Sequence, residues 1–219
     1  MSVADYHQQS RLHLLGFAAD HMEFRGRALD VGCAAGNMGE QLLRRGFSEV
    51  WGVEPDAQAA ALARDKLTRV VTGHFPCDEI SDGAPFDAII FADSLEHMVD
   101  SSAALQSAAE SLKDGGALLI SVPNVSHYSV IAGLLRGRWR YADAGLLDRT
   151  HLRFFTPDGI RRAVRDAGFD IRCEGGVQSR PRWRYMPLVW MLRVLAPHTL
   201  VFQTYVLATR HAVPCVDGA

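Results

Sequence analysis

Four cysteines, Cys33, Cys77, Cys173 and Cys215, fall at long irregular intervals with no C-x-x-C pair. That scarcity excludes a disulfide framework or a zinc knuckle and reads as free thiols. An excess of one charge is also missing: 23 Lys and Arg face 25 Asp and Glu, for a net charge of −2 with the nine histidines neutral. No overall field advertises nucleic acid or anionic lipid, and no nucleic-acid partner is expected. Long hydrophobic runs are lacking too. The most apolar stretch, Met186 to Phe202, is broken by Arg193, Pro197 and His198 and is too short to cross a bilayer. The overlapping segment 183–201 reads as a buried packing helix or a lid over a pocket, ahead of contact with a membrane surface. The N-terminal residues include Asp5, Gln8, Gln9 and Arg11 without the apolar core of a secretory leader, so a cytoplasmic location is expected.

What is present is a globular composition, 48% hydrophobic and 22% charged over 219 residues, enough for one domain with a buried core. Short aliphatic runs alternate with longer helical patterns, as in a mostly parallel sheet covered by helices on both faces. Strands are expected at Ala28 to Val31, Glu49 to Val53, Arg69 to Thr72, Phe86 to Phe91 and Ala117 to Val122. Helices are expected at Gly39 to Arg45, Ala57 to Lys66 and Ser101 to Leu112, the last stopped by Lys113-Asp114-Gly115-Gly116. Another, Pro157 to Ala167, has Thr156 as N-cap and Pro157 at its first position. Two closing strands, Phe169 to Glu174 and Phe202 to Arg210, lack a long crossover and so predict an antiparallel edge. The expected fold is a doubly wound α/β domain with a seven-stranded, Rossmann-like sheet.

The run Leu29-Asp30-Val31-Gly32-Cys33-Ala34-Ala35-Gly36-Asn37-Met38-Gly39 sets a glycine-rich turn between the first strand and the first helix. An open parallel sheet binds ligands at such turns. Glu54, following the second strand, suits the two hydroxyls of a ribose. A dinucleotide fingerprint needs G-x-G-x-x-G, but Ala34 holds the second position, which makes NAD the runner-up. Asp30 offers a carboxylate for an ammonium group, which adenosylmethionine has and NAD lacks.

These residues resemble motif I of the class I S-adenosylmethionine-dependent methyltransferases. Phe86 to His97 is similar to the family's fourth-strand segment, and Leu112 to Gly116 to its turn before the fifth strand. Ser121 to His127 and Leu147 to Thr156 resemble a bacterial subgroup related to the ubiquinone-biosynthesis O-methyltransferases, members of which often accompany glycosyltransferases. The resemblance implies adenosylmethionine as cofactor and adenosylhomocysteine as product. It places the methionine end at Gly32, Cys33, Ala34, Gly36, Asn37 and Met38, with Tyr6 and Arg11 from an N-terminal helix. The adenine would lie by Pro55, Phe75 and Leu95, and the sulfonium by Asp93 and Ser94. Two departures stand out: Ala34 replaces the family's central glycine, and His74 stands where an aspartate usually bonds the adenine.

Methyl transfer relies on positioning, with a base only where the acceptor loses a proton. His151, flanked by Asp148, Arg149 and Arg153, is the leading candidate base, followed by His127 and His97. Asp93, Glu96 and His97 also resemble a cation-holding set of related enzymes, with His151 as a fourth ligand; a divalent cation is the lesser reading beside helix capping. The segment 126–156, with Arg136, Arg138, Trp139, Arg140 and Tyr141, reads as an insertion covering a small or carrier-linked hydroxylated acceptor, such as a sugar or natural-product intermediate. An N-methyltransferase and a non-catalytic binding domain remain the alternatives, and monomer and homodimer both stay open.

Overall fold

The computed structural model describes residues 3–178 and 185–210. An N-terminal helix, α1 (Val3–Ala19), leads into β1 (Arg27–Val31), α2 (Asn37–Arg45), β2 (Glu49–Glu54), α3 (Ala57–Arg64), β3 (Arg69–Thr72), the single turn α4 (Asp78–Ser81) and β4 (Phe86–Ala92). A 3-10 turn at Leu95–His97 precedes α5 (Ser101–Ser111), β5 (Leu112–Pro123), α6 (Tyr128–Leu134), α7 (Pro157–Asp166), β6 (Phe169–Gln178), α8 (Met186–Leu195) and β7 (Val201–Arg210).

The strands form a seven-stranded sheet in the order β3-β2-β1-β4-β5-β7-β6. β1 to β5 are parallel, and β7 pairs antiparallel with both β5 and β6. The expected antiparallel edge is therefore two ladders deep, with β6 outermost. Burial explains the sequence patterns. β1, β2 and β4 are buried on both faces and read as mainly apolar runs without a wet-face alternation, whereas β6 alternates buried or half-buried with exposed residues, as a strand with one wet face must. One core layer centres on Leu29, Ile89, Phe91, Leu118 and Ile160, and the other on Leu15, Met38, Leu42, Val50 and Ile90.

Several boundaries differ from expectation. The Lys113-Asp114-Gly115-Gly116 run is not a stop between helix and strand: α5 ends at Ser111, and β5 starts at Leu112. Phe86 pairs with Leu112 and Ala88 with Ala117, so the run bulges out of the β4–β5 ladder, with Gly115 at φ 73°. α6 is a helix inside the expected acceptor-covering insertion. α8 is only partly packed: Val189 and Leu192 are buried, while Trp190 and Val194 are 75% and 76% exposed. No described helix is long and apolar enough to cross a membrane.

Candidate cofactor and active site

The strand order reverses between β1 and β4, and the loops leaving their carboxyl ends diverge to opposite sides of the sheet. A crevice opens where they part. Its cavity is about 680 Å³, within the range of about 300–1,000 Å³ usual for small-molecule sites. Val31, Gly32 and Ala34 form one wall, Val53, Glu54 and Pro55 the next, Gly73, His74, Phe75 and Pro76 the third, and Asp93 and Ser94 the fourth. Arg11 from α1 and His97, Met98, Val99, Asp100 and Leu152 complete it.

The first wall is shaped by backbone conformation. Gly32 has φ 74°, and a Cβ there would lie 2.7 Å from Ser94 Cβ, so only glycine lets the β1 loop and the β4 loop approach this closely. Ala34 also has a positive φ, 48°, a left-handed conformation that strains an L side chain. This geometry gives the physical reason for a glycine at that position. Gly36, at φ 77°, caps α2. Asn37 accepts a hydrogen bond from Lys66 Nζ at 2.6 Å, and the same ammonium donates to Ala35 O at 2.7 Å.

Glu54 accepts from the backbone N–H of Ala34 at 2.9 Å and from that of Asp56 at 3.0 Å, one on each carboxylate oxygen. A carboxylate has about four acceptor positions, so about two remain for ligand hydroxyls. Asp30 lies beneath the loop, buried and off the cavity wall. Burial raises its pKa to about 6, against the lowering by Arg11 and the Gly39 N–H. Among the described residues, Asp30 Oδ2 beneath the loop and Ser94 Oγ and Arg11 Nε of the cavity-lining residues have no hydrogen-bond partner. The orphaned groups of Ser94 and Arg11 suit a polar ligand.

Of the residues singled out from sequence, Arg11, Gly32, Ala34, Glu54, Pro55, His74, Phe75, Asp93 and Ser94 line this cavity. Cys33, Met38 and Leu95 belong to the core, and Gly36 and Asn37 shape the loop from behind. The Tyr6 side chain lies outside the described residues. Cys33 packs against β2, where a Cβ on Gly52 would meet its Sγ at 2.6 Å, and burial pushes its thiol pKa upward. Val31 and Val53, at the carboxyl ends of their strands, were legible from topology. Pro76, Met98 and Leu152 carried no local signal.

The three histidines part company. His127 is buried as the N-cap of α6, its Nδ1 2.8 Å from Ser129 Oγ and its ring against Tyr128 and Phe202. Burial lowers its pKa to about 4, and it does not line the cavity. His97 and His151 come together, ring centroids 4.9 Å apart. The loop carrying His151 is pinned by the N–H groups of Leu152 and Arg153, which donate to Glu96 O at 2.9 and 3.0 Å, and by Arg153 Nε to Val99 O at 3.1 Å. His97 Nδ1 meets Thr150 O at 3.1 Å. Desolvation, then the neighbouring His97, lowers the His151 pKa, favouring the neutral imidazole.

Asp93 does not join the histidines. Its Oδ1 accepts from Ser121 Oγ at 2.8 Å and from Gln203 Nε2. The group that does gather is Glu96, His97 and His151, with ligand atoms all within 4.8 Å of one another. Both Glu96 carboxylate oxygens are buried with no hydrogen-bond partner among the described residues. Burial and then Asp93 push the Glu96 pKa well above the usual carboxylate range. One carboxylate and two imidazoles suit a transition-metal cation better than Mg²⁺.

A second, more open cavity of about 610 Å³ is lined by Tyr141, Arg149, His151, Leu152 and Phe154. It shares Leu152 with the first cavity, and Trp139 stacks edge-on to Phe154 at 5.2 Å.

Comparison with known proteins agrees with this architecture. Residues 6–174 match a family model described as a methyltransferase domain. The ubiquinone biosynthesis O-methyltransferase of Neisseria meningitidis serogroup C is 28% identical over 167 residues, spanning 72% of this chain and 69% of that protein. A SAM-dependent methyltransferase from Archaeoglobus fulgidus superposes with a TM-score of 0.64 at 18% identity, covering 93% of this chain and 94% of the other. Magnesium protoporphyrin IX methyltransferase from Synechocystis, crystallised with bound SAH, gives 0.63 at 16% identity, covering 94% and 83%. The chain belongs to the methyltransferase domain family and is an S-adenosylmethionine-dependent methyltransferase.

Proposed function

We propose that this methyltransferase methylates a hydroxyl oxygen of a small or carrier-linked acceptor held in the cavity of Tyr141, Arg149, His151, Leu152 and Phe154. The observation that carries this reading is the placement of His151, a half-buried imidazole biased to its neutral form, beside the residue shared by the two cavities. The relatives named as O-methyltransferases support oxygen over nitrogen as the acceptor atom.

The cofactor supplies a methyl group on a sulfonium, which is already a good leaving group. Gly32, Ala34, Glu54, Pro55, His74, Phe75, Asp93 and Ser94 would hold it, with Arg11 closing from α1. Glu54 would accept from the ribose hydroxyls, while Phe75 and Pro55 would provide apolar surface for the base. Tyr141 and Phe154 flank a ring-shaped acceptor, and Arg149 draws an anionic substituent. His151, through a ring nitrogen, would take the proton that a hydroxyl acceptor must lose when it is methylated. Positioning carries most of the acceleration, and the base adds about 10²–10⁴.

Two measurements test this. His151→Ala is expected to lower kcat by about 10² or more while calorimetric affinity for S-adenosylhomocysteine stays the same. Phenolic and sugar hydroxyl acceptors should be turned over in preference to matched amines. Full activity of the variant, or preference for amines, overturns the reading.

A second reading has its own observation in the Glu96, His97 and His151 cluster. There a divalent transition cation would bind the acceptor oxygen and lower its pKa. Chelator-treated protein that regains activity on titration with Mn²⁺ or Zn²⁺ favours it; unchanged turnover in chelator removes it.

A further inference from the structure

The hexapeptide Arg-Gly-Arg-Trp-Arg-Tyr at 136–141 returns almost unchanged as Arg-Pro-Arg-Trp-Arg-Tyr at 180–185. The first copy follows α6 and the second leads into α8. These two helices pack on each other through Tyr128, Val189 and Leu192, with Tyr185 against Tyr128 at 5.6 Å. Two arginine-rich, tryptophan-bearing segments thus flank one helix pair in the chain. Residues 180–184 enter only through their composition. From Glu174 to Asp217 there is no acidic residue, while arginines stand at 180, 182, 184, 193 and 210. The charge is local, because the whole chain carries a net −2.

α8 buries one stripe, Val189 and Leu192, and leaves Met186, Trp190, Met191, Val194 and Leu195 exposed. A core helix would bury those side chains, and a surface helix in water would replace them with polar ones. Leu134 and Leu135, at the end of α6, are exposed as well. With ten residues, α8 is far too short to span a bilayer. Beside it lies a cavity of about 660 Å³ whose lining includes Arg136, Arg138, Arg140, Tyr185 and Phe202. Arg136 Nη1 donates to Ala132 O at 2.6 Å. Among the described residues, none of these three guanidinium groups is in an ion pair with a carboxylate.

We propose that the face built from α6, α8 and the hexapeptide at 136–141 docks the protein on an anionic lipid bilayer. The apolar side of α8 enters the acyl boundary, Trp139 sits at headgroup level, and the arginine-lined cavity receives lipid phosphate. A second copy of the chain is a poorer occupant, since self-pairing would stack arginine-rich segments against each other. A neutral apolar partner would leave the guanidinium groups unmatched. This inference stands independently of the acceptor assignment, although docking here would give the enzyme access to acceptors carried in a membrane.

The test is co-sedimentation of the full chain with vesicles of phosphatidylcholine alone or mixed with phosphatidylglycerol. Binding is expected only to the mixed vesicles, with release as salt is raised. Arg138→Gln with Arg140→Gln should weaken binding by about tenfold or more, given about 1 kcal/mol per basic residue near an anionic surface. Trp190→Glu with Val194→Glu should weaken it at least as much, and Trp190→Ser serves where the double variant is unstable. Each variant should keep its calorimetric affinity for S-adenosylhomocysteine, which shows an intact fold at a distant site. Absence of vesicle binding, binding indifferent to Trp190 and Val194, or a concentration-dependent dimer in ultracentrifugation that those substitutions dissolve would overturn the proposal.

Discussion

Asp30 gives the sharpest test of the site's electrostatics. Asp30 is 1% exposed under the loop between β1 and α2, and burial lifts its pKa from 3.8 to about 6. Between these values the folded chain keeps a proton that the unfolded chain has released, so stability falls as pH rises from about 4 to about 6. A shift of about two units is worth about 3 kcal/mol at 1.36 kcal/mol per unit. His127 acts in the opposite sense. Its pKa drops from 6.5 to about 4 on burial, so the unfolded chain gains the proton first and stability is lost as pH falls through that window. The two effects offset each other over much of the same range and flatten the profile of the unmodified protein. Asp30→Asn removes one of them. In urea denaturation, the stability of the variant relative to the unmodified protein should rise by about 3 kcal/mol between about pH 4 and about pH 7. A buried amide adds a constant cost, so the change with pH is the diagnostic quantity. A difference that stays constant with pH would refute both the raised pKa and the burial argument behind it.

Three further outcomes are expected around the same cavity. Ala34→Gly relieves the left-handed strain at φ 48° and should stabilise the fold by up to about 1 kcal/mol in thermal or urea denaturation. Gly32→Ala places a methyl 2.7 Å from Ser94 Cβ at φ 74° and should weaken S-adenosylhomocysteine binding by about tenfold or more by calorimetry while also destabilising the fold. Glu54→Ala removes the acceptor for the Ala34 and Asp56 N–H groups together with the ribose contact, and should cost about 1–3 kcal/mol of affinity for the same ligand.

The sequence by itself determined the parts whose information is local. Runs such as Phe86 to Phe91 are aliphatic on both faces, which marks strands buried in a parallel sheet. The Gly32 to Gly36 turn and Glu54 lie at the carboxyl ends of two such strands, and adjacent parallel strands bring their carboxyl ends to one edge, so the sequence already brings Gly32, Ala34 and Glu54 to one cavity. The hexapeptide repeat was equally present in the sequence, but its meaning depends on α6 and α8 packing together.

Tertiary structure decided what depends on distant partners. His151 reaches His97 because Leu152 and Arg153 donate to Glu96 O, an arrangement with no trace in periodicity. Asp93 turns to Ser121 and Gln203 instead of the histidines, and His127 becomes a helix cap rather than lining the cavity. The apolar composition of α8 is compatible with a core helix, a lid or an interfacial face; only the packing of Val189 and Leu192 inward, with Trp190 and Val194 left outside, separates these arrangements. Hydrophobic pattern specifies which residues can be buried, whereas the surface available to bury them is set by the rest of the fold.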